Sequence, residues 1–132
     1  MDEIGIIEIR KEYKDIHVLL QATAMGKDWN VVITGGEIPH LGAVALGIPR
    51  PSLQNPALTS ATVSVMTLTG HKEDEIARPA AHFLAGRLNA PVVVSCGIHN
   101  DNIKPEDIRR ISEMVQESLN DLVAAACGKG IR

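Results

Sequence analysis

Short apolar stretches, bounded by glycine, proline and charged residues, run through most of the chain and predict strands. The predicted strands are residues 4–10, 17–23, 29–34, 43–47, 61–69 and 90–96. The turns between the first three are too short for a parallel crossover, so these strands are predicted to form an antiparallel meander. The last strand is almost entirely apolar, which is typical of a central strand buried on both faces.

Apolar residues recur at spacings of three and four in two longer segments, which predicts helices over 73–88 and 105–126. Pro79 interrupts the first pattern, so that helix is expected either to start near Glu75 or to kink. Pro105 suits a first helical position, and Gly128 marks the end of the second helix. The sequence therefore predicts one α+β domain over 1–132, with a mostly antiparallel sheet of about six strands and two helices. Residues 61–96 should form a right-handed crossover if their two strands share the sheet.

The segment 49–60 contains three prolines, which are unfavourable inside a central strand, and it is predicted to be a loop. A loop of this length in a compact domain is often a lid or a binding segment. A plain surface crossover is the alternative.

Composition excludes several classes of function. The 132 residues include one Trp, one Tyr and one Phe, carry a net charge of −3 and contain no basic cluster, which argues against nucleic-acid binding. No apolar run approaches a membrane span, and the acidic N-terminus lacks the apolar core of a signal peptide. Cys96 and Cys127 show no metal-ligand spacing, so reduced thiols in a cytoplasmic protein are expected.

Three predicted strand ends each carry a glycine followed by a histidine. His40 follows Gly35 and Gly36, His71 follows Gly70, and His99 follows Gly97. If the three strands point the same way, their histidines meet on one edge of the sheet. His17 and His82 lack this context and are interpreted as ordinary surface or boundary residues.

Several kinds of chemistry fit such a set of histidines. A metal ion could be held by His40, His71 and His99, with Asp74 or Asp101. The same histidines could instead bind phosphate when protonated, or act as general acids and bases. The amides of glycines 35, 36 and 42 could cradle a phosphate, although such glycines usually form turns. Neither G-x-G-x-x-G nor the P-loop pattern occurs, and no local Ser–His–Asp set is present. Cys96 is interpreted as a buried thiol and not as a nucleophile.

Three sequence phrases together resemble the LpdD family. They are Thr34-Gly35-Gly36-Glu37-Ile38-Pro39-His40-Leu41-Gly42, Leu68-Thr69-Gly70-His71-Lys72-Glu73-Asp74 and Cys96-Gly97-Ile98-His99-Asn100-Asp101. Proteins of this family are named with gallate decarboxylase and are also described as prenylated-flavin chaperone-like. The resemblance covers nearly the whole chain. It implies association with a UbiD-type decarboxylase, which uses prenylated FMN, and with a UbiX-type flavin prenyltransferase. It also implies a fold similar to proteasome-assembly-chaperone-like domains, which often dimerise, so a homodimer is expected.

On this basis we expect a non-catalytic accessory protein that assists cofactor handling or maturation, with prenylated FMN bound and not used. The expected contacts are Thr34, Gly35, Gly36, His40, His71, Lys72, His99 and Asp101. Lys72 and the two glycine amides would neutralise phosphate charge, and the 49–60 loop would cover the ligand. A small metal-dependent enzyme using the same histidines and a plain assembly module are the alternatives.

Overall fold

A computed structural model describes residues 5–68 and 73–128, and within them the chain forms a six-stranded sheet and two helices. The elements are β1 (Ile6–Tyr13), β2 (Ile16–Met25), β3 (Asp28–Gly36), β4 (Ala43–Pro51), β5 (Thr59–Thr67), α1 (Asp74–Leu88), β6 (Val92–His99) and α2 (Pro105–Gly128). The α+β class, the strand count and the two helices are as predicted.

The sheet has the strand order β1-β2-β3-β6-β4-β5. The meander of β1, β2 and β3 and the central place of β6 are confirmed. The pairing of β3 with β6 is parallel, whereas β4 runs antiparallel to both β5 and β6. Strands β5 and β6 therefore run in the same direction, and α1 forms the crossover between them.

The core lies between one face of the sheet and the two helices. Alternate residues of β2, β3 and β6 point into it, and Val18, Val31 and Val94 are fully buried. Small alanines on α1 let the helix approach the sheet, and Gly47 lies against the backbone carbonyl of Ala81. The opposite face of the sheet carries polar side chains and exposed aliphatic ones, among them Leu46, Ile48 and Met66.

Helix α1 begins at Asp74, one residue from the predicted start near Glu75, and it continues through Pro79. A proline at this position cannot donate to the carbonyl of Glu75, one turn earlier. Both residues are exposed, so water can satisfy that carbonyl. None of the helices in the described ranges is long and apolar enough to cross a membrane.

The predicted loop over 49–60 is wrong at both ends, because β4 extends to Pro51 and β5 begins at Thr59. The reason lies in the pairing of β4. It contacts β6 only as far as Gly47, and beyond that residue it pairs with β5 alone. Pro49 and Pro51 therefore occupy a part of the strand whose other side is open, where a missing N–H is tolerated.

Candidate functional site

Several strand ends meet at one edge of the sheet. Gly36 at the end of β3 pairs with His99 at the end of β6, because these strands are parallel. Ala43 at the start of β4 pairs with both Cys96 and Thr67, so β5 also ends here. We call this edge the rim. The predicted contacts His71 and Lys72 lie in 69–72, outside the described residues.

The rim brings two of the three predicted histidines together. The ring centroids of His40 and His99 are 6.1 Å apart, and the rings meet edge to face at 79°. His40 lies on the connection between β3 and β4, whereas His99 is the last residue of β6. The parallel β3–β6 pair is what places them side by side.

His40 is bonded to a glutamate that the sequence patterns did not single out. Its Nε2 donates to Oε1 of Glu73 at 2.7 Å, and its Nδ1 lies 3.2 Å from the carbonyl oxygen of Ile38. The side chains of His40 and Glu73 are only 20% and 9% exposed.

Glu73 stands directly before α1, at the start of the helix predicted over 73–88. Its carbonyl oxygen accepts bonds from the N–H groups of Ile76 and Ala77. Its carboxylate does not cap the helix and is turned towards His40 instead. Because the two residues are 33 positions apart, no local sequence signal could have paired them.

His99 forms a second, more exposed pair. Its Nε2 donates to Oδ1 of Asp101 at 3.0 Å, with the two side chains 46% and 66% exposed. The N–H of Asp101 donates to the carboxylate of Glu37, and the N–H of Glu37 donates to the carbonyl oxygen of His99. These bonds tie the turn after β3 to the end of β6.

The predicted glycines are required by close packing of the backbone. A side chain on Gly35 would meet the carbonyl oxygen of His17, and one on Gly36, with φ of +75°, would meet that of His99. Thr34 and the two glycines are the last residues of β3, and they pair with β6. Gly42 also lies at the rim, where its N–H donates to the carbonyl oxygen of Cys96.

Cys96 is buried in the core beside this site, as predicted. Burial raises the pKa of its thiol to about 12, and the negative charge of Glu73 adds to the shift. The thiol therefore stays protonated at neutral pH and offers no thiolate nucleophile.

A cavity of about 520 Å³ opens beside the rim, between the end of β6 and the first turns of both helices. We call it the isoleucine cavity, because its apolar lining consists of Ile76, Ile98, Ile103, Ile108 and Ile111. Its polar lining consists of Glu73, Glu75, His99, Asn100 and Ser112. The isoleucines come from separate parts of the chain, so the sequence alone gave no signal of the cavity.

The metal hypothesis receives no support from the part of the chain that the structure describes. Within it, no group of three His, Cys, Asp or Glu side chains is arranged to hold a metal ion. Nε2 of His40 is bonded to Glu73, and Nε2 of His99 is bonded to Asp101.

The proline-containing segment cannot cover the rim, which corrects the predicted lid. Ala43 of β4 lies at the rim, and the strand then runs away from it to Pro51. Eight residues of extended chain span about 26 Å. The loop over 52–58 thus lies at the opposite end of the sheet.

Comparison with known proteins identifies the family. The model of the prenylated flavin chaperone LpdD-like domain matches residues 12–126. The chain belongs to the prenylated flavin chaperone LpdD-like family. The match confirms the resemblance carried by the three glycine–histidine phrases, and it places the whole described rim of this LpdD-like chain inside the matched region.

The LpdD-like fold is similar to that of a chain in the crystal structure of a chaperone complex for yeast 20S proteasome assembly. The TM-score is 0.57 at 19% identity, and the match covers 92% of this chain and 96% of the other. At this identity the likeness supports the fold alone, and it agrees with the predicted proteasome-assembly-chaperone-like architecture. No curated protein matched the chain.

Proposed function

We propose that this protein is a non-catalytic accessory protein that binds prenylated FMN and assists its handling or the maturation of a UbiD-type decarboxylase. One observation carries the proposal. In a chain of the prenylated flavin chaperone LpdD-like family, the paired rings of His40 and His99 lie next to an apolar cavity of about 520 Å³. That volume is in the range of pockets that hold small-molecule ligands, about 300–1,000 Å³.

The geometry of the rim supports several of the proposed contacts. His99 and Asp101 are exposed and open to a ligand, whereas His40 is held in place by Glu73. Thr34, Gly35 and Gly36 are the last residues of β3 and pair with the end of β6. His71 and Lys72 complete the proposed site, and Lys72 supplies positive charge for the phosphate.

A non-catalytic role is supported by membership of the prenylated flavin chaperone LpdD-like family. The protein is proposed to hold the cofactor and not to transform it.

The proposed partners are the catalytic subunit of the decarboxylase, which receives the cofactor, and a UbiX-type prenyltransferase, which supplies it. We also propose a cytoplasmic homodimer. Exposed aliphatic side chains on the open face of the sheet, such as Leu46, Ile48 and Met66, support a protein contact.

Anaerobic titration with prenylated FMN tests the proposal. The wild-type protein should bind the cofactor, and His99→Ala should weaken binding about tenfold or more, as should the double variant His71→Ala with Lys72→Ala. His82→Ala is the matched control, since this histidine is exposed on α1 and is bonded only weakly, at 3.4 Å, to Ser60. Absence of flavin binding by the wild type, in titration and in native mass spectra, would overturn the proposed function.

A further inference from the structure

We infer that the isoleucine cavity receives the branched, aliphatic part of a prenylated flavin, with the phosphate held outside it. This inference rests on the proposed function and adds which part of the ligand enters the protein. The prenyl-derived unit contains five carbons and is saturated and branched, in contrast to the flat heterocycle to which it is fused.

The lining of the cavity fits such a group better than it fits a flat ring. All five of its large apolar side chains are isoleucines, and the imidazole of His99 is the one aromatic ring among the lining residues that the structure describes. Planar heterocycles gain affinity by stacking on aromatic faces. Branched aliphatic walls offer no such face, but they pack well around a branched aliphatic group.

The mouth of the cavity leaves apolar surface in water. Ile108 on α2 is 53% exposed, and Ile103, just before the helix, is partly exposed. A ligand group that covers these side chains removes apolar area from water, and each buried carbon then contributes about fourfold in affinity.

Charge determines the orientation of the ligand. Glu73 and Glu75 line the cavity, with the carboxylate of Glu73 bonded to His40, and Glu106 follows in the first turn of α2. Like charges repel, so a phosphate is disfavoured inside this cavity. The uncharged prenyl-bearing end is therefore the part that enters.

The volume favours the flavin adduct over a free prenyl phosphate. A cavity of about 520 Å³ is of the size that holds a whole drug-sized ligand. It accommodates the prenyl unit together with the adjoining part of the heterocycle, whereas five carbons alone fill a small part of it.

The test compares three probes under anaerobic conditions: prenylated FMN, FMN and dimethylallyl monophosphate. The wild type should bind prenylated FMN at least about tenfold more tightly than FMN. Ile103→Asn and Ile108→Asn should each weaken the binding of prenylated FMN about tenfold and change that of FMN less than about threefold. Two variants are used so that one that fails to fold does not decide the result.

Leu58→Asn is the matched control. Leucine has the same atoms as isoleucine, and Leu58 is 60% exposed at the opposite end of the sheet. It should leave both affinities unchanged.

Four results would overturn the inference. If the wild type binds both flavins with equal affinity, or if the cavity variants weaken the binding of both flavins equally, the cavity does not bind the prenyl unit. The proposed function would stand in either case. If dimethylallyl monophosphate binds as tightly as prenylated FMN, the free prenyl phosphate is the ligand of the cavity. Absence of any flavin binding would instead overturn the proposed function, and this inference with it.

Discussion

The carbonyl oxygen of His40 lies where a side chain on Gly97 would have to be. The turn that carries His40 is thereby packed directly on the backbone of β6, two residues before His99. This contact between backbones, which only a glycine permits, sets the distance between the two histidines.

Replacing Gly97 with alanine is expected to destabilise the protein. The new methyl group meets backbone, which cannot move aside as a flexible side chain can, so Gly97→Ala should lower the free energy of unfolding by about 2 kcal/mol or more. Urea denaturation measures the change. Gly86→Ala is the control, since a methyl group there finds its nearest neighbour at 3.5 Å in the interior of α1. It should stabilise by up to about 1 kcal/mol. Wild-type stability of Gly97→Ala would contradict the packing described.

The two histidine pairs are expected to differ in their effect on stability. Glu73→Ala removes the acceptor of a 2.7 Å bond between side chains that are mostly buried, and it should cost about 1.5–3 kcal/mol. Asp101→Ala removes the partner of His99 in an exposed pair, and it should cost less than about 1 kcal/mol. Both values come from urea denaturation at neutral pH. Equal costs would show that burial does not distinguish the pairs.

The thiols should differ in reactivity. Cys127 is exposed, whereas Cys96 is buried with its pKa raised to about 12. At pH 8 a thiol reagent should modify one cysteine in the native protein and both in denaturing urea. Rapid labelling of two thiols in the native state would contradict the burial of Cys96.

The same thiol makes stability depend on alkaline pH. Folding raises the pKa of Cys96 from 9.0 to about 12, so above pH 9 the unfolded chain loses this proton first. The contribution of the buried, protonated thiol to the free energy of unfolding is complete below pH 9 and is lost as the pH rises towards 12. Between pH 8 and pH 10.5 the wild type should lose about 2 kcal/mol more than Cys96→Ala. Parallel losses in the two proteins would show that Cys96 ionises freely.

The loop over 52–58 should be irrelevant to the site. Leu53 and Leu58 are 87% and 60% exposed, and they lie at the far end of the sheet from the rim. Changing both to serine should leave the affinity for prenylated FMN unchanged in an anaerobic titration. A clear loss of affinity would restore the lid that the sequence predicted.

The sequence predicted the elements well because burial follows their periodicity. The alternation in β2 and the three-to-four spacing in α2 each report which side faces the core. The end of β4 was missed because it contains Pro49 and Pro51. These prolines are tolerated because β4 no longer pairs with β6 after Gly47, and that pairing depends on the tertiary structure.

The candidate site was predictable only in part. The glycine–histidine phrases located His40 and His99 on strand ends, and the parallel pairing of β3 and β6 brought those ends together. The bond between His40 and Glu73 and the isoleucine cavity depend on elements that are distant in sequence. Such contacts leave no periodic signal.

The placement of β6 has a consequence for the order in which the molecule is completed. Strands β3 and β4 follow each other in the chain but are separated in the sheet, and β6 alone joins the β1–β3 meander to the β4–β5 hairpin. During synthesis the two halves cannot be joined until β6 has emerged, because it comes after α1. The histidine pair spans that seam, so the proposed binding site is assembled only when β6 joins the two halves. A cofactor bound there would contact both halves. It would therefore raise the stability of the protein, because it would bind the folded form, in which the halves are joined, and not the unfolded chain.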